Sequence, residues 1–193
     1  MKHCTLLFAG LLLLAAGCHS RAKKPAGEPA TEKKNYFPVG DFLESEMRYV
    51  DSIPLALIKY TTQGQRTDSV FITPAAFRQL ARVFESEAFS NGSFERDFTE
   101  TSFMDETTQS VVFTYATRSQ DQELRRVDVL AKPVEGTDQV KSIYLEKQLR
   151  RGDTSITEKM SWFPRRSFQV MSSIQTPGSP PLTQQLRVRW GEE

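Results

Sequence analysis

Apolar and polar positions change their rhythm several times along the chain. Residues 5–17 are an almost unbroken apolar run behind Lys2, well short of the roughly 20 residues that a membrane-spanning helix needs. Residues 19–34 turn polar and basic, with Pro25, Gly27 and Pro29 opposing regular structure, the composition of a solvated tether. Over residues 39–50, Val39, Phe42, Leu43, Glu46, Met47 and Val50 fall at helical spacing between Pro38 and Pro54, which predicts an amphipathic helix of about three turns. Two β-rich runs, 55–60 and 67–72, flank a polar insert with a glycine and predict a hairpin. Thr73-Pro74 then supplies a capping hydroxyl and a proline suited to the first helical position. Phe77, Leu80, Ala81 and Phe84 follow as one apolar stripe.

Residues 94–107 are polar, acidic and aromatic without a period, and are expected to be irregular. From Thr108 onward the period is two. Val111, Phe113 and Tyr115 share a face, as do Val127 and Val129, then Ile143, Leu145 and Leu149, then Ile156, Met160 and Trp162, then Phe168, Val170 and Ile174, and finally Leu186, Val188 and Trp190. These six strands are separated by joints too short for parallel crossovers, so they read as an antiparallel meander. The expected fold class is α+β: a curved antiparallel sheet of about eight strands, a meander or half-open barrel, covered by two helices.

The leader's chemistry adds an address. Lys2, the apolar run and the small residues Ala15, Ala16 and Gly17 ahead of Cys18 form a secretory signal. Leu14-Ala15-Ala16-Gly17-Cys18 resembles the lipobox of bacterial lipoprotein precursors. That resemblance implies cleavage before Cys18, a thioether-linked diacylglycerol on its sulfur and an acylated amine, palmitate being the usual kind of chain; several acyl chains hold a protein durably on a bilayer. His19 follows where an aspartate favours inner-membrane retention in sorted lipoproteins, so the outer membrane is expected. The basic tether leans toward the periplasmic side. The expected organisation is a signal peptide over 1–17, a lipid-anchored tether over 18–35 and one α+β domain over 36–193. About 160 residues is a usual size for a single core. The helix, hairpin, helix and meander layout, with Tyr36-Phe37-Pro38-Val39, Arg125-Arg126-Val127-Asp128-Val129 and the run from Lys141 to Lys147 followed by Gly152-Asp153-Thr154, is similar to small lipoproteins of unknown function in the phylum Bacteroidota. That similarity implies no activity.

Composition narrows the chemistry. Lysine and arginine total 25 against 24 acids, a formal charge of +1 that offers no global field for nucleic acid. The two histidines are His3 and His19 and the two cysteines are Cys4 and Cys18, so the expected domain has no imidazole or thiol for a nucleophilic triad or a zinc site. No cofactor, metal site or catalytic residue is expected. The lead reading is a non-enzymatic envelope protein that binds or scaffolds another envelope component, a protein or a glycan. Two others are a carrier or receptor for lipid or lipoprotein with a sheet–helix cavity, and a glycan hydrolase using two of Glu95, Asp97, Glu100, Asp105 and Glu106. The same cluster could also hold calcium, although no calcium-loop spacing is present.

Arginines supply the candidate surface. Arg125-Arg126, Arg150-Arg151 and Arg165-Arg166 come in pairs, and Arg187 and Arg189 lie two apart. If Arg126, Arg150, Arg166, Arg187 and Arg189 face outward together, they form a strip for phosphate, lipid head groups or acidic polysaccharide. Alternatively they pair with Glu123, Asp128, Glu146 and Glu158, or guard strand edges. Arg151-Gly152-Asp153 spells an adhesion tripeptide and also reads as turn chemistry. Asn91-Gly92-Ser93 matches a glycosylation acceptor but follows a bacterial leader. The aromatics could line a cavity or fill a core.

Overall fold

A computed structural model describes residues 36–134 and 137–191; the leader, Cys18 and the tether lie outside the described residues. The described residues belong to one compact unit, Lys34–Glu193. Its chain begins with α1 (Val39–Ser52), the hairpin β1 (Leu57–Gln63) and β2 (Arg66–Ile72), and α2 (Pro74–Ala81). A 3₁₀ turn over Arg82–Phe84 leads to the short helices α3 (Glu87–Ser90) and α4 (Ser93–Asp97). Seven strands follow: β3 (Phe98–Asp105), β4 (Ser110–Thr117), β5 (Leu124–Val134), β6 (Thr137–Arg151), β7 (Thr154–Phe163), β8 (Ser167–Gln175) and β9 (Leu182–Arg189).

All nine strands form one antiparallel sheet in the order β2-β1-β9-β8-β7-β6-β5-β4-β3. The meander and the hairpin of the sequence reading are both present, joined by β9 lying between β1 and β8. Two expectations need correction and one is narrowed. The strand count is nine rather than about eight, because residues 98–105 of the supposedly irregular stretch pair with β4 as an edge strand. Of the two forms expected, a meander or a half-open barrel, the sheet takes the first: it does not close, and β2 and β3 are its two edges. The joint between the second and third of the six expected strands is also nearly absorbed, since β5 runs to Val134 and β6 begins at Thr137.

Period-two alternation assigns the faces. One register row crosses the sheet as Phe113, Val129, Ile143, Trp162, Phe168 and Val188, and the next as Tyr115, Val127, Leu145, Met160, Val170 and Leu186. Against this face pack Val39, Leu43 and Val50 of α1, Phe77 and Ala81 of α2, Phe84, Ala88 and Phe94. Thr73 accepts the Ala76 amide at 3.2 Å and Pro74 opens α2, as the sequence predicts.

The centre of this layer is filled by rings. Phe77 meets Trp190 edge-on at 5.3 Å between centroids, Phe84 meets Trp162 at 5.2 Å, and Trp162 stacks on Phe168 at 5.5 Å. All five are fully buried or nearly so. The aromatics expected to line a cavity or fill a core therefore fill the core here.

Candidate functional site

The sheet's other face carries no helix from the described residues, and its composition changes from one side to the other. Across β5, β6 and β7 it is mixed in charge. Arg126 Nε donates to Asp128 at 2.8 Å, and the Tyr144 hydroxyl donates to Glu146 at 3.1 Å. Burial first, then the Glu146 carboxylate, pushes the Tyr144 phenol up to about 12. Across β8, β9, β1 and β2 the same face reads Ser167, Gln169 and Met171, then Arg189, Arg187 and Gln185, then Ile58, Tyr60 and Thr62, then Phe71, Ser69 and Thr67. Two arginines stand there, and no carboxylate.

A third arginine joins them from the β7–β8 turn. Arg166, Arg187 and Arg189 line one pocket of about 280 Å³ with Phe163, Ser167, Gln169 and Gly191. Position follows from local geometry. Arg187 and Arg189 are two apart on one strand and so share a face, while Ser167 is the register partner of Arg189 and places Arg166 one residue beyond it.

The turn itself is locked from two sides. Its Arg165 holds a positive φ of 62°, unusual for a residue with a Cβ. Buried Glu46 of α1 accepts the Arg165 amide at 2.9 Å and its Nε at 3.1 Å, and the guanidinium lies 3.6 Å over the Tyr49 ring. From the other side, the amides of Trp190 and Gly191 donate to the Arg166 carbonyl at 2.9 and 3.1 Å. The pair is thereby split: Arg165 clamps α1 and Arg166 goes to the pocket. There the Arg166 guanidinium lies 5.7 Å from the Phe163 ring centre, and that of Arg189 lies 6.0 Å from Tyr60.

The five candidate arginines are thus not one strip. Arg166, Arg187 and Arg189 come together. Arg126 is occupied by Asp128 on β5, the local pairing of the alternative reading, though along one strand rather than across two. Arg150 is exposed near the β6–β7 turn and pairs in register with Ser155, whose neighbour on β8 is Gln175, at the opposite end of that strand from Ser167. Sequence reasoning missed Phe163, Ser167, Gln169 and Gly191, which approach the arginines only through strand pairing and the turn.

A second concavity, an open cleft of about 870 Å³, lies beside α1, the segment 82–90 and the start of β5. Asp41, Glu44, Glu85, Glu87, Asp121 and Glu123 outnumber Arg82 and Lys147 along its walls. Lys147 is 8% exposed and donates to the carbonyls of Val83 at 2.6 Å and Glu85 at 2.5 Å, which ties β6 to the 3₁₀ turn. Burial lowers the Lys147 pKa, opposed by Glu158 and other carboxylates, and raises that of Glu158, its register partner.

The remaining motifs are local. Gly152, at φ 58°, and Asp153 form the two-residue β6–β7 turn. Asn91 accepts the Ser93 amide at 2.9 Å. Among the acids of 95–106, Asp97 is held by Arg96 and Gln122 and kept below its usual pKa chiefly by the Arg96 hydrogen bond, whereas Asp105 accepts the Thr108 hydroxyl and the amides of Thr107 and Thr108. Glu95 and Asp97 lie on α4, Glu100 and Asp105 on edge strand β3, and Glu106 just past its end. Among the described residues no three His, Cys, Asp or Glu side chains gather as a metal site. No protein-family model matches the chain, and no curated protein resembles it in sequence closely enough to lend it a role.

Proposed function

We propose that the chain is a non-enzymatic, lipid-anchored envelope protein, held by Cys18 on the periplasmic side of the outer membrane, which binds another envelope component on the open face of its sheet. The observation that carries this reading is the division of labour between the faces. Helices and stacked rings fill one, while the other presents three arginines lining one pocket, with no carboxylate on that face of β8, β9, β1 and β2. The lipobox resemblance supports the anchor. A carrier would need a hollow interior, and rings at 5.2 to 5.5 Å occupy the middle of the helix–sheet layer.

Two measurements test this. Cells fed an alkyne fatty acid should label the wild-type chain and not Cys18→Ala, and the intact mass of the mature protein should start at Cys18. A photoreactive residue at Met171, on the open face beside the pocket, should crosslink to an envelope component, while one at Glu95, outside that face, should not. Absence of label removes the anchor, and equal crosslinking from both positions removes the assignment of the open face.

A further inference from the structure

We infer that Asn91 is a self-modification site, at which the chain converts its own asparagine into isoaspartate and aspartate with loss of ammonia. The inference is independent of the lipid anchor and of the open face.

The reacting atoms are neighbours along the chain. The Gly92 nitrogen gives up its proton and bonds to the Asn91 Cγ, closing a ring through Cγ, Cβ, Cα and the main-chain carbonyl carbon. The Cγ–Nδ2 bond breaks, and Nδ2 leaves as ammonia with that proton. Water then opens the imide. Attack at Cγ gives aspartate; attack at the former main-chain carbonyl gives isoaspartate, whose backbone runs on through Cβ and Cγ. One water is consumed for each ammonia released, and no oxidant or reductant takes part.

Three features leave this path open. Asn91 and Gly92 are both exposed, although Ala88 before them and Ser93 after them are buried. Gly92 presents its nitrogen without a neighbouring Cβ. A Cβ built there meets nothing within 4 Å, and the glycine holds φ 71°, where a side chain would be strained. The peptide that must turn, from an Asn91 ψ of 9°, belongs to neither helix, since α3 ends at Ser90 and α4 begins at Ser93. The Gly92 amide donates to no described residue, so turning it sacrifices no hydrogen bond of its own. Finally, the Asn91 Oδ1 accepts the Ser93 amide at 2.9 Å, so the hydrogen-bonded ring already contains both Cγ and the Gly92 nitrogen. That bond draws electrons toward Oδ1 and makes Cγ the better electrophile.

The consequence falls on the core. Phe89 and Phe94 bracket the loop, their rings edge-on at 5.2 Å. Phe89 lies so close to α1 that a Cβ on Gly40 would come within 2.8 Å of the Phe89 Cβ. Phe94 is buried against Tyr36, Phe98 and Tyr115. Isoaspartate adds a main-chain carbon between two anchored rings and displaces one against the other. Aspartate keeps the Ser93 bond and makes it charge-assisted.

The test ages the purified full chain in warm, mildly alkaline buffer made with heavy-oxygen water, beside the synthetic peptide 83–96. Trypsin cuts after Arg82 and Arg96 and releases the same peptide from the protein, with Asn91 as its sole amide side chain. Mass spectrometry should show this peptide exchanging its amide for an acid that carries one heavy oxygen, in two chromatographic forms with isoaspartate in excess. Asn35, which precedes the bulky Tyr36, should stay intact. Asn91→Gln, which must close a larger ring, should lose the conversion, and Gly92→Ala should slow it. The isoaspartate fraction should melt below fresh protein, and Asn91→Asp should not. If Asn91 survives in the folded protein after the free peptide has converted, the fold closes the path and the inference falls. Equal conversion at Asn35, or conversion without heavy oxygen, also overturns it. An isoaspartate form as stable as fresh protein overturns the effect on the core.

Discussion

Gly191 has no room for a larger residue. A Cβ there would overlap the Arg165 carbonyl oxygen and come within 3.1 Å of the Arg166 Cα, both backbone atoms that cannot swing aside. Gly191→Ala should therefore open the β7–β8 turn, at a cost of about 2 kcal/mol or more in urea unfolding, and scatter the arginine pocket with it. Glu46 secures the same turn from α1. Truncation to alanine leaves the Arg165 amide and guanidinium without their acceptor, and we expect about 2 kcal/mol of destabilisation at neutral pH. Neither role can be read from the sequence. Glu46 sits among α1's apolar positions as one more helical residue, and its partner is 119 residues away. Lys147 shows the same limit. It occupies an inward position in the alternation of β6, where a lysine looks misplaced until the carbonyls of Val83 and Glu85 are seen to accept from it. Because its folded pKa lies below the unfolded one, the unfolded chain holds more protons between those two values, and stability rises with pH across that window. Wild type should gain stability relative to Lys147→Met as the pH climbs toward the ordinary lysine range, measured by urea midpoints at successive alkaline pH values. A flat difference would show that the ammonium is not penalised in the fold.

At the level of elements, period-two alternation made β4 to β9 legible because each strand buries one face and wets the other. Strand β3 escaped for the converse reason. It is an edge whose middle, Thr99 to Ser102, is polar on both faces, with Phe98 buried at one end and Phe103 and Met104 exposed at the other. The helices α3 and α4 are too short to show a 3.6-residue period. The strong stripe of α2 was readable, and it leads to Phe84, which touches both Trp162 and Phe168. Phe84→Ala should cost about 3 to 5 kcal/mol, the range for an aromatic removed from a packed core. The two edges raise a separate matter. Phe71 on β2 is 74% exposed and Phe103 on β3 is 68% exposed, and apolar edge strands invite pairing with other chains. Phe71→Lys and Phe103→Lys should lower concentration-dependent association in sedimentation velocity while leaving monomer stability within about 0.5 kcal/mol.

Over the whole molecule, the candidate site depended on something the sequence does not display, namely which strand lies beside which. Pairs of arginines were visible from composition; that Arg166, Arg187 and Arg189 meet while Arg126 and Arg150 do not follows from the register of β8 and β9 and from the handling of the β7–β8 turn. Strand order also has a temporal side. β9 is the piece inserted between β1 and β8, and Ile58 pairs with Arg189 across most of the domain's length. Until β9 has been synthesised, the early hairpin has no second neighbour and the indole of Trp190 is missing from the aromatic cluster. Pairings of such long range form slowly because loop closure must precede their reward. A chain of this topology cannot complete its sheet or its aromatic core until its last strand has been made.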